Sequence, residues 1–196
     1  MDFSIQRRLF IKGLLRQTDG SAIVEFAVVL PLFVVFIVGI YDFGGAFNQK
    51  QKIEQAAQEG AIVAAAQPSS DLNPVAGSAA NPDSLVPVVY AVFNSLNQNG
   101  VLTAACSPPG TASGPSPALT WSYKITGCSS LNPSDNLIVT INRGWVSSSG
   151  PPIAVGSVVT VSYPYDWRFY SVIQLILPGS TNYTAISESA TVHNQM

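Results

Sequence analysis

One carboxylate stands at the head of an uncharged apolar run near the start of the chain. It is Glu25, four residues after Ser21 and five after Gly20, with Phe26 directly behind it. Hydrocarbon penalises a charged group unless a partner compensates, so an acidic side chain in a membrane-length segment is by default a functional residue. The plainer reading is a carboxylate that reaches back to the headgroups from near the helix end. Other chemistry-bearing residues are sparse. Cys106 and Cys128 are the only cysteines, and His193 is the only histidine, close to the C-terminus. A mobile tail would be a poor place for a general base. Asp135, Asp166 and Glu188 fall in separate segments and make no acid–base pair. No Gly-rich phosphate loop and no Cys/His cluster at metal-ligand spacing is present. Trp121, Trp145 and Trp167 suit core packing or interface anchoring better than a ligand face. The residues point away from an enzyme and call for no cofactor or metal.

What positions Glu25 is the apolar run itself. The chain has 196 residues, of which 47% are hydrophobic and only 10% charged, a balance skewed away from a soluble enzyme. Twelve of the fifteen residues from Phe26 to Ile40 are Leu, Ile, Val or Phe, and none is charged. As a helix, Ser21 to Tyr41 would extend about 31 Å, close to the hydrocarbon thickness of a bilayer. Its strongly apolar side chains contribute about −4 to −7 kcal/mol to insertion, against at most about +3 kcal/mol for one carboxylate. Insertion therefore wins with Glu25 in place.

Charge sets the direction. Arg7, Arg8, Lys12 and Arg16 precede the run, against Lys50 and Lys52 soon after it, so the N-terminus is expected in the cytoplasm. The leader mixes these charges with Phe3, Ile5, Leu9, Phe10, Ile11, Leu14 and Leu15; an amphipathic helix on the inner membrane face and a disordered basic tail both fit. Net charge is −2 overall, and residues 21–196 are acidic on balance, which sets nucleic-acid binding aside. Both cysteines lie on the exported side, where their even number and the oxidising compartment predict a disulfide.

Beyond the span, Ile53, Ala56, Ala57, Gly60, Ala61 and Ala64 recur at the three-and-four spacing of one helix face. Gln67-Pro68 ends the pattern, so one helix of about 45 residues is predicted, half in lipid and half outside. Pro31 removes a backbone donor and crowds the carbonyl of Ala27, which predicts a kink or loosening there. Such breaks are tolerated in membrane helices. Gly39, Gly44 and Gly45 permit close helix contact.

The stretch Gly20 to Gly44, GSAIVEFAVVLPLFVVFIVGIYDFG, resembles the TadE-like family of tight-adherence (Flp-type) pilus proteins, and its start resembles a type IV prepilin processing site. Gln55-Ala56-Ala57-Gln58-Glu59-Gly60-Ala61 is similar to that family's Ala-rich helix end, and Val159 to Tyr165, VTVSYPY, to its late strand. The resemblance implies a single-pass subunit of a bacterial inner membrane, cut by a prepilin peptidase between Gly20 and Ser21. Its partners would be other pilin subunits, the assembly platform and the membrane. Glu25, Phe26 and Pro31 would serve assembly. The residues fit such a cut on their own terms: Gly20 presents a bond without a side chain, and Thr18-Asp19-Gly20 reads as a break between two helical patterns. A cut there would leave a new amine on Ser21 within reach of Glu25.

From residue 68 the composition turns to Ser, Thr, Asn, Pro and Gly. Asp83 to Asn99, with Pro87 in its first turn and Gly100 behind it, predicts a short second helix. Residues 104–118 hold Pro108, Pro109, Gly110, Gly114, Pro115 and Pro117 and read as a surface loop. Trp121, Tyr123 and Ile125, then Leu137, Val139 and Ile141, then Val159, Val161 and Tyr163 alternate as strands do, and Tyr183 to Val192 fits a last strand. Ser148 to Pro152 supplies a turn. Phe169 to Leu177 has no clear period and leaves helix and strand open. The expected architecture is α+β, with a long N-terminal helix packed on a C-terminal antiparallel sheet as in pilins. Its parts would be a cleaved leader (1–20), a span (21–41), an extracytoplasmic continuation of the helix (42–67) and a β-rich head (68–196).

Function follows as a minor pilin of a tight-adherence pilus, acting in assembly or adhesion. The competing reading is a membrane-tethered binding module whose anchor is never cut. A third is a secretory precursor cut after Ala46 in Gly44-Gly45-Ala46, although the apolar run exceeds the usual signal-peptide core.

Overall fold

The computed structural model describes residues 19–72, 81–102, 104–116, 119–128, 136–146, 154–176 and 178–194. The leader before Asp19, the turn at Ser148–Pro152 and Asp135 lie outside the described residues. The chain divides into two compact units, Met1–Phe43 and Gly44–Met196.

Helix α1, Asp19–Ala66, is 48 residues long and continues through Pro31. Asp19 and Gly20 lie within it rather than in a break. The reason is energetic: one Gly costs a helix only about 1 kcal/mol relative to Ala, too little to interrupt an otherwise strong helix former. Helix α2, Val86–Gln98, carries Pro87 in its first turn, where a missing N–H costs no internal bond. Its end is a Schellman motif: Gly100 adopts φ +64°, Gly100 N–H donates to the Asn97 carbonyl, and Val101 N–H donates to that of Leu96.

Five strands follow: β1 (Thr111–Ser116), β2 (Thr120–Thr126), β3 (Asn136–Val146), β4 (Val155–Asp166) and β5 (Tyr183–His193). Helix α3, Tyr170–Ile176, interrupts the connection between β4 and β5. The strands form one sheet in chain order, each antiparallel to the next. This is the α+β plan expected.

Strand β1 corrects the reading of 104–118 as loop throughout. Gly114 and Pro115 look like breakers, but β1 is an edge strand, where a residue without an N–H is tolerated. Within the open segment, Tyr170–Ile176 is helix, and Leu177 lies outside the described residues.

Alternation places Trp121, Tyr123 and Ile125 of β2, Leu137, Val139 and Ile141 of β3, and Val159 and Val161 of β4 on one buried face. The opposite face is polar, and Ser122, Thr140, Thr160 and Ser189 stand in one register row across β2 to β5. Ile53, Ala56, Ala57, Ala61 and Ala64 of α1 join the buried face, together with Val88, Val89, Val92 and Leu96 of α2. The stripe of small side chains is thus the contact face of the helix. Gly60 marks its closest approach. A Cβ built there would meet Val92 Cγ2 at 2.5 Å and Val159 Cγ1 at 3.2 Å, so α1, α2 and β4 converge on an absent methyl group.

Cys106 and Cys128 form a disulfide that ties the segment before β1 to the end of β2. The Cys128 carbonyl also accepts from the Tyr163 hydroxyl at 2.9 Å. Loop-closure entropy over this separation of 22 residues corresponds to about 3 kcal/mol. A Cys106→Ser, Cys128→Ser double variant should lose about that much stability. Urea unfolding of the detergent-solubilised protein, with and without reductant, measures it. An unchanged midpoint would show that the cross-link leaves the head's unfolded state unconstrained.

Candidate assembly helix and its seat on the head

Gly20, Ser21, Glu25, Phe26 and Pro31 all lie on the first half of α1. Gly20 is exposed, and among the described residues nothing lies within 4 Å of where a Cβ would stand. Ser21 and Glu25 are four residues apart and share a helix face, and the Ser21 hydroxyl donates to Glu25 Oε1 at 3.1 Å. The structure therefore brings together the two residues that the sequence pairs through charge.

Around them, the apolar side chains are exposed from one end of the run to the other. Ile23, Phe26, Val28, Leu32, Phe33 and Phe36 each keep more than half of their surface open. The helix is long and apolar enough to cross a membrane, and none of its most apolar window is buried within the protein. Apolar side chains around the whole circumference of an uncovered helix are incompatible with water as the surroundings. Lipid or other apolar protein surfaces are the environments that suit it.

The second half of α1 is held to the head by polar contacts as well as by its stripe. Gln49 Nε2 donates to the Pro164 carbonyl at 3.1 Å. Lys50 pairs with Glu188 at 3.4 Å, and Lys52 Nζ donates to the Asn99 carbonyl at 2.8 Å. Glu188 faces the helix because it pairs with inward-facing Val161 across β4 and β5. An inward-pointing charge of this kind also discourages edge-to-edge pairing of β5 with another sheet. Lys52 meets the C-terminal end of α2, where a cation suits the helix dipole.

Arg143 performs the corresponding task at the end of α1. It lies 5% exposed on β3, donating from Nη2 to the Gln67 carbonyl at 2.7 Å and from Nη1 to Ser157 Oγ at 3.1 Å. Ser157 in turn donates to Asn194 Oδ1 at 2.6 Å. Burial pulls the Arg143 guanidinium below its usual value, and the charge of Asp71 opposes that pull. For Asp71, burial favours the neutral acid, but the Ser84 amide, donating at 2.8 Å, and the charge of Arg143 outweigh it and leave the carboxyl below its usual range. Tyr123 is pushed up to about 12, by burial first and by the Asp71 charge second. Its hydroxyl donates to Asn81 Oδ1 at 2.9 Å.

Sequence reasoning does not single out Arg143. The signal is present all the same: position 143 continues the inward set Leu137, Val139, Ile141, so a basic residue there enters the buried face and needs carbonyls to meet it. His193 also differs from expectation. It ends β5 opposite Gly156, with its ring centroid 6.0 Å from that of Trp145, rather than trailing as a tail. The three tryptophans make no common face. Trp121 is in the core, Trp145 lies beside Gly156 near the start of β4, and Trp167 follows the end of β4 against Tyr165. Among the described residues, no group of acidic, His or Cys side chains is placed to hold a metal ion.

Residues 20–61 match the family model described as TadE-like protein. The match starts at Gly20, spans the exposed apolar run and ends just past Gly60, so it covers both the pair Ser21–Glu25 and most of the small-residue stripe. The sheet lies outside it. No curated protein and no solved structure matches the chain.

Proposed function

We propose that this chain, with a TadE-like helix at its N-terminal end, is a minor pilin of a tight-adherence type IV pilus. Residues 1–20 are a cytoplasmic leader removed by a prepilin peptidase. Ser21 to Tyr41 spans the inner membrane until the subunit is extracted into a filament. Residues 42–67 continue the helix, and residues 68–196 form the exported head. The supporting observation is the pairing of Ser21 with Glu25 at the head of an exposed apolar run, in a helix whose residues 20–61 match the family model.

Physically, the helix trades one apolar environment for another. In the bilayer its side chains face lipid; in a filament they face the helices of other subunits, at little net hydrophobic cost because both surroundings are equally apolar. Glu25 supplies what lipid lacks. After the cut, the ammonium group on Ser21 can pair with Glu25 of the same or a neighbouring subunit, and such an interaction is strengthened by a low-dielectric setting. The role is structural, and the partners are the peptidase, other pilins and the assembly platform.

A Gly20→Lys variant tests the processing step. With the peptidase present, the wild-type protein should lose residues 1–20, and the variant should accumulate at full length, because a long cationic side chain now occupies the position before the cut. Gel mobility and intact mass report the difference. Equal lengths for wild type and variant would contradict the reading.

A further inference from the structure

The two ends of the disulfide sit in unequal surroundings. Cys128, just past the end of β2, is fully buried and belongs to the core that α1, α2 and the sheet share. Cys106 is only partly buried; it lies in the irregular segment before β1, between Ala105 and Ser107, both exposed. The Cα atoms of the two cysteines are 4.9 Å apart. Two hydrogen bonds hold this arrangement besides the cross-link: Ala104 N–H donates to the Cys128 carbonyl at 3.2 Å, and the Tyr163 hydroxyl donates to the same oxygen at 2.9 Å.

Exchange between thiols and disulfides proceeds by attack of a thiolate on a sulfur atom, through a mixed disulfide, and its rate depends on access to that sulfur. In the folded head the two cysteines differ in that respect. A reagent arriving from solution meets Cys106, while Cys128 is enclosed by the core. Cys128 can still act on a sulfur already bonded to Cys106, because the bonds from Ala104 and Tyr163 to its carbonyl keep the two residues side by side. A structural disulfide of this kind is made outside the reducing cytosol.

We propose that Cys106 is the entry thiol and Cys128 the resolving thiol in a reaction of the exported head with a disulfide-bearing oxidant. The order of reaction rests on export of the head and not on a role in a pilus. The Cys106 thiolate attacks the oxidant's disulfide, forming a mixed disulfide and releasing one of its sulfurs as a thiolate. The Cys128 thiolate then attacks the Cys106 sulfur, which closes the internal bond and releases the second oxidant thiolate. The protons given up by Cys106 and Cys128 end on those two thiolates, so the head loses two electrons and the oxidant gains them. Cys128 needs no path to solvent for its own step. Reduction by an external thiol runs the same sequence backwards and also enters at Cys106.

Glutathione is the probe, used on the full-length protein in detergent. The folded, oxidised wild type is treated with reduced glutathione, quenched with iodoacetamide during the reaction and mapped by mass spectrometry. The trapped intermediate should carry glutathione on Cys106 and the alkyl group on Cys128. The reverse placement, or an equal mixture of the two, would overturn the assignment. Single variants test the oxidative direction with oxidised glutathione. Cys128→Ala should hold a stable glutathione adduct on Cys106, and Cys106→Ala should react at Cys128 at least about tenfold more slowly. In concentrated urea, where burial is lost, the two variants should react alike. Equal native rates in variants that keep their near-ultraviolet circular dichroism would also overturn the assignment; if the variants lose that signal, the wild-type map decides. Either result leaves the cut after Gly20 to be judged separately, by gel mobility and intact mass.

Discussion

Replacing Glu25 with Leu is expected to abolish pilus formation while leaving the protein fully inserted. Insertion should improve, because a carboxylate costing up to about 3 kcal/mol is exchanged for a residue that favours the membrane. Assembly should fail, because the ammonium group left on Ser21 by the cut would have no carboxylate to meet. In the helix as it stands, the Ser21 hydroxyl already reaches Glu25 Oε1 at 3.1 Å, which shows that residue 21 and this carboxylate can engage without rearrangement. The readouts are pili sheared from the cell surface and resistance of the membrane-bound protein to alkaline extraction. An anchor that is never cut would tolerate the substitution or benefit from it. Normal piliation by the Leu variant would therefore favour the tethered-module reading. A Glu25→Asp variant, which keeps the charge on a shorter arm, should recover part of the pili.

Gly60→Leu should destabilise the head more than any other single change considered, by about 3 kcal/mol or more. The first added carbon already falls 2.5 Å from Val92 Cγ2 and 3.2 Å from Val159 Cγ1, and Leu adds three more carbons behind it. Overpacking a filled core typically costs about 1–3 kcal/mol and occasionally more. Here the obstruction is shared between α2 and β4, so relief requires α1 to lift from the sheet. Its neighbours Ala57, Ala61 and Ala64 would then lose their contacts as well. Gly44→Ala is the matched control, since nothing lies within 4 Å of the position its Cβ would take. That variant should be neutral or more stable by up to about 1 kcal/mol from helix propensity. Urea unfolding of the detergent-solubilised proteins, followed by near-ultraviolet circular dichroism of the buried Trp121, compares them. Equal midpoints for Gly60→Leu and wild type would mean that α1 does not seat on the head as described.

The seat of the helix is legible in the sequence because its code is periodic. Ile53, Ala56, Ala57, Gly60, Ala61 and Ala64 repeat at helical spacing, and small side chains on such a face announce close approach by their size alone. The inner face of the sheet is legible for the same reason at period two, through Trp121, Tyr123 and Ile125 and their partners on β3 and β4. What periodicity does not encode is lost. Strand β1 hides behind Gly114 and Pro115, because a strand at an edge needs only one side to pair. Helix α3 is two turns long, too short for any period to emerge from Phe169 to Leu177. Arg143 escapes notice because its partners, the Gln67 carbonyl and Ser157, are distant in sequence and come together only when α1, β3 and β4 have packed.

Glu25 is visible by a different route. Its signal is chemical and not periodic: a group that does not belong in hydrocarbon, placed where the surrounding residues leave no other solvent. The structure adds the i to i+4 partner, and the match to the TadE-like family model adds the context. Gly20 is an accessible backbone position, as its lack of a side chain suggests, but it is no helix break. A peptidase cutting between Gly20 and Ser21 would need local opening of α1 there rather than a preformed loop.

The proposed role as a pilin requires that a leader be removed and a charged helix start be made. Intact mass and N-terminal sequencing of the protein isolated from piliated cells test it most directly. A polypeptide that begins at Ser21 and lacks residues 1–20 is expected. A protein that retains Met1 through Gly20 while pili form normally around it would rule out the processed pilin, and a first residue of Phe47 would point instead to secretory cleavage after Ala46.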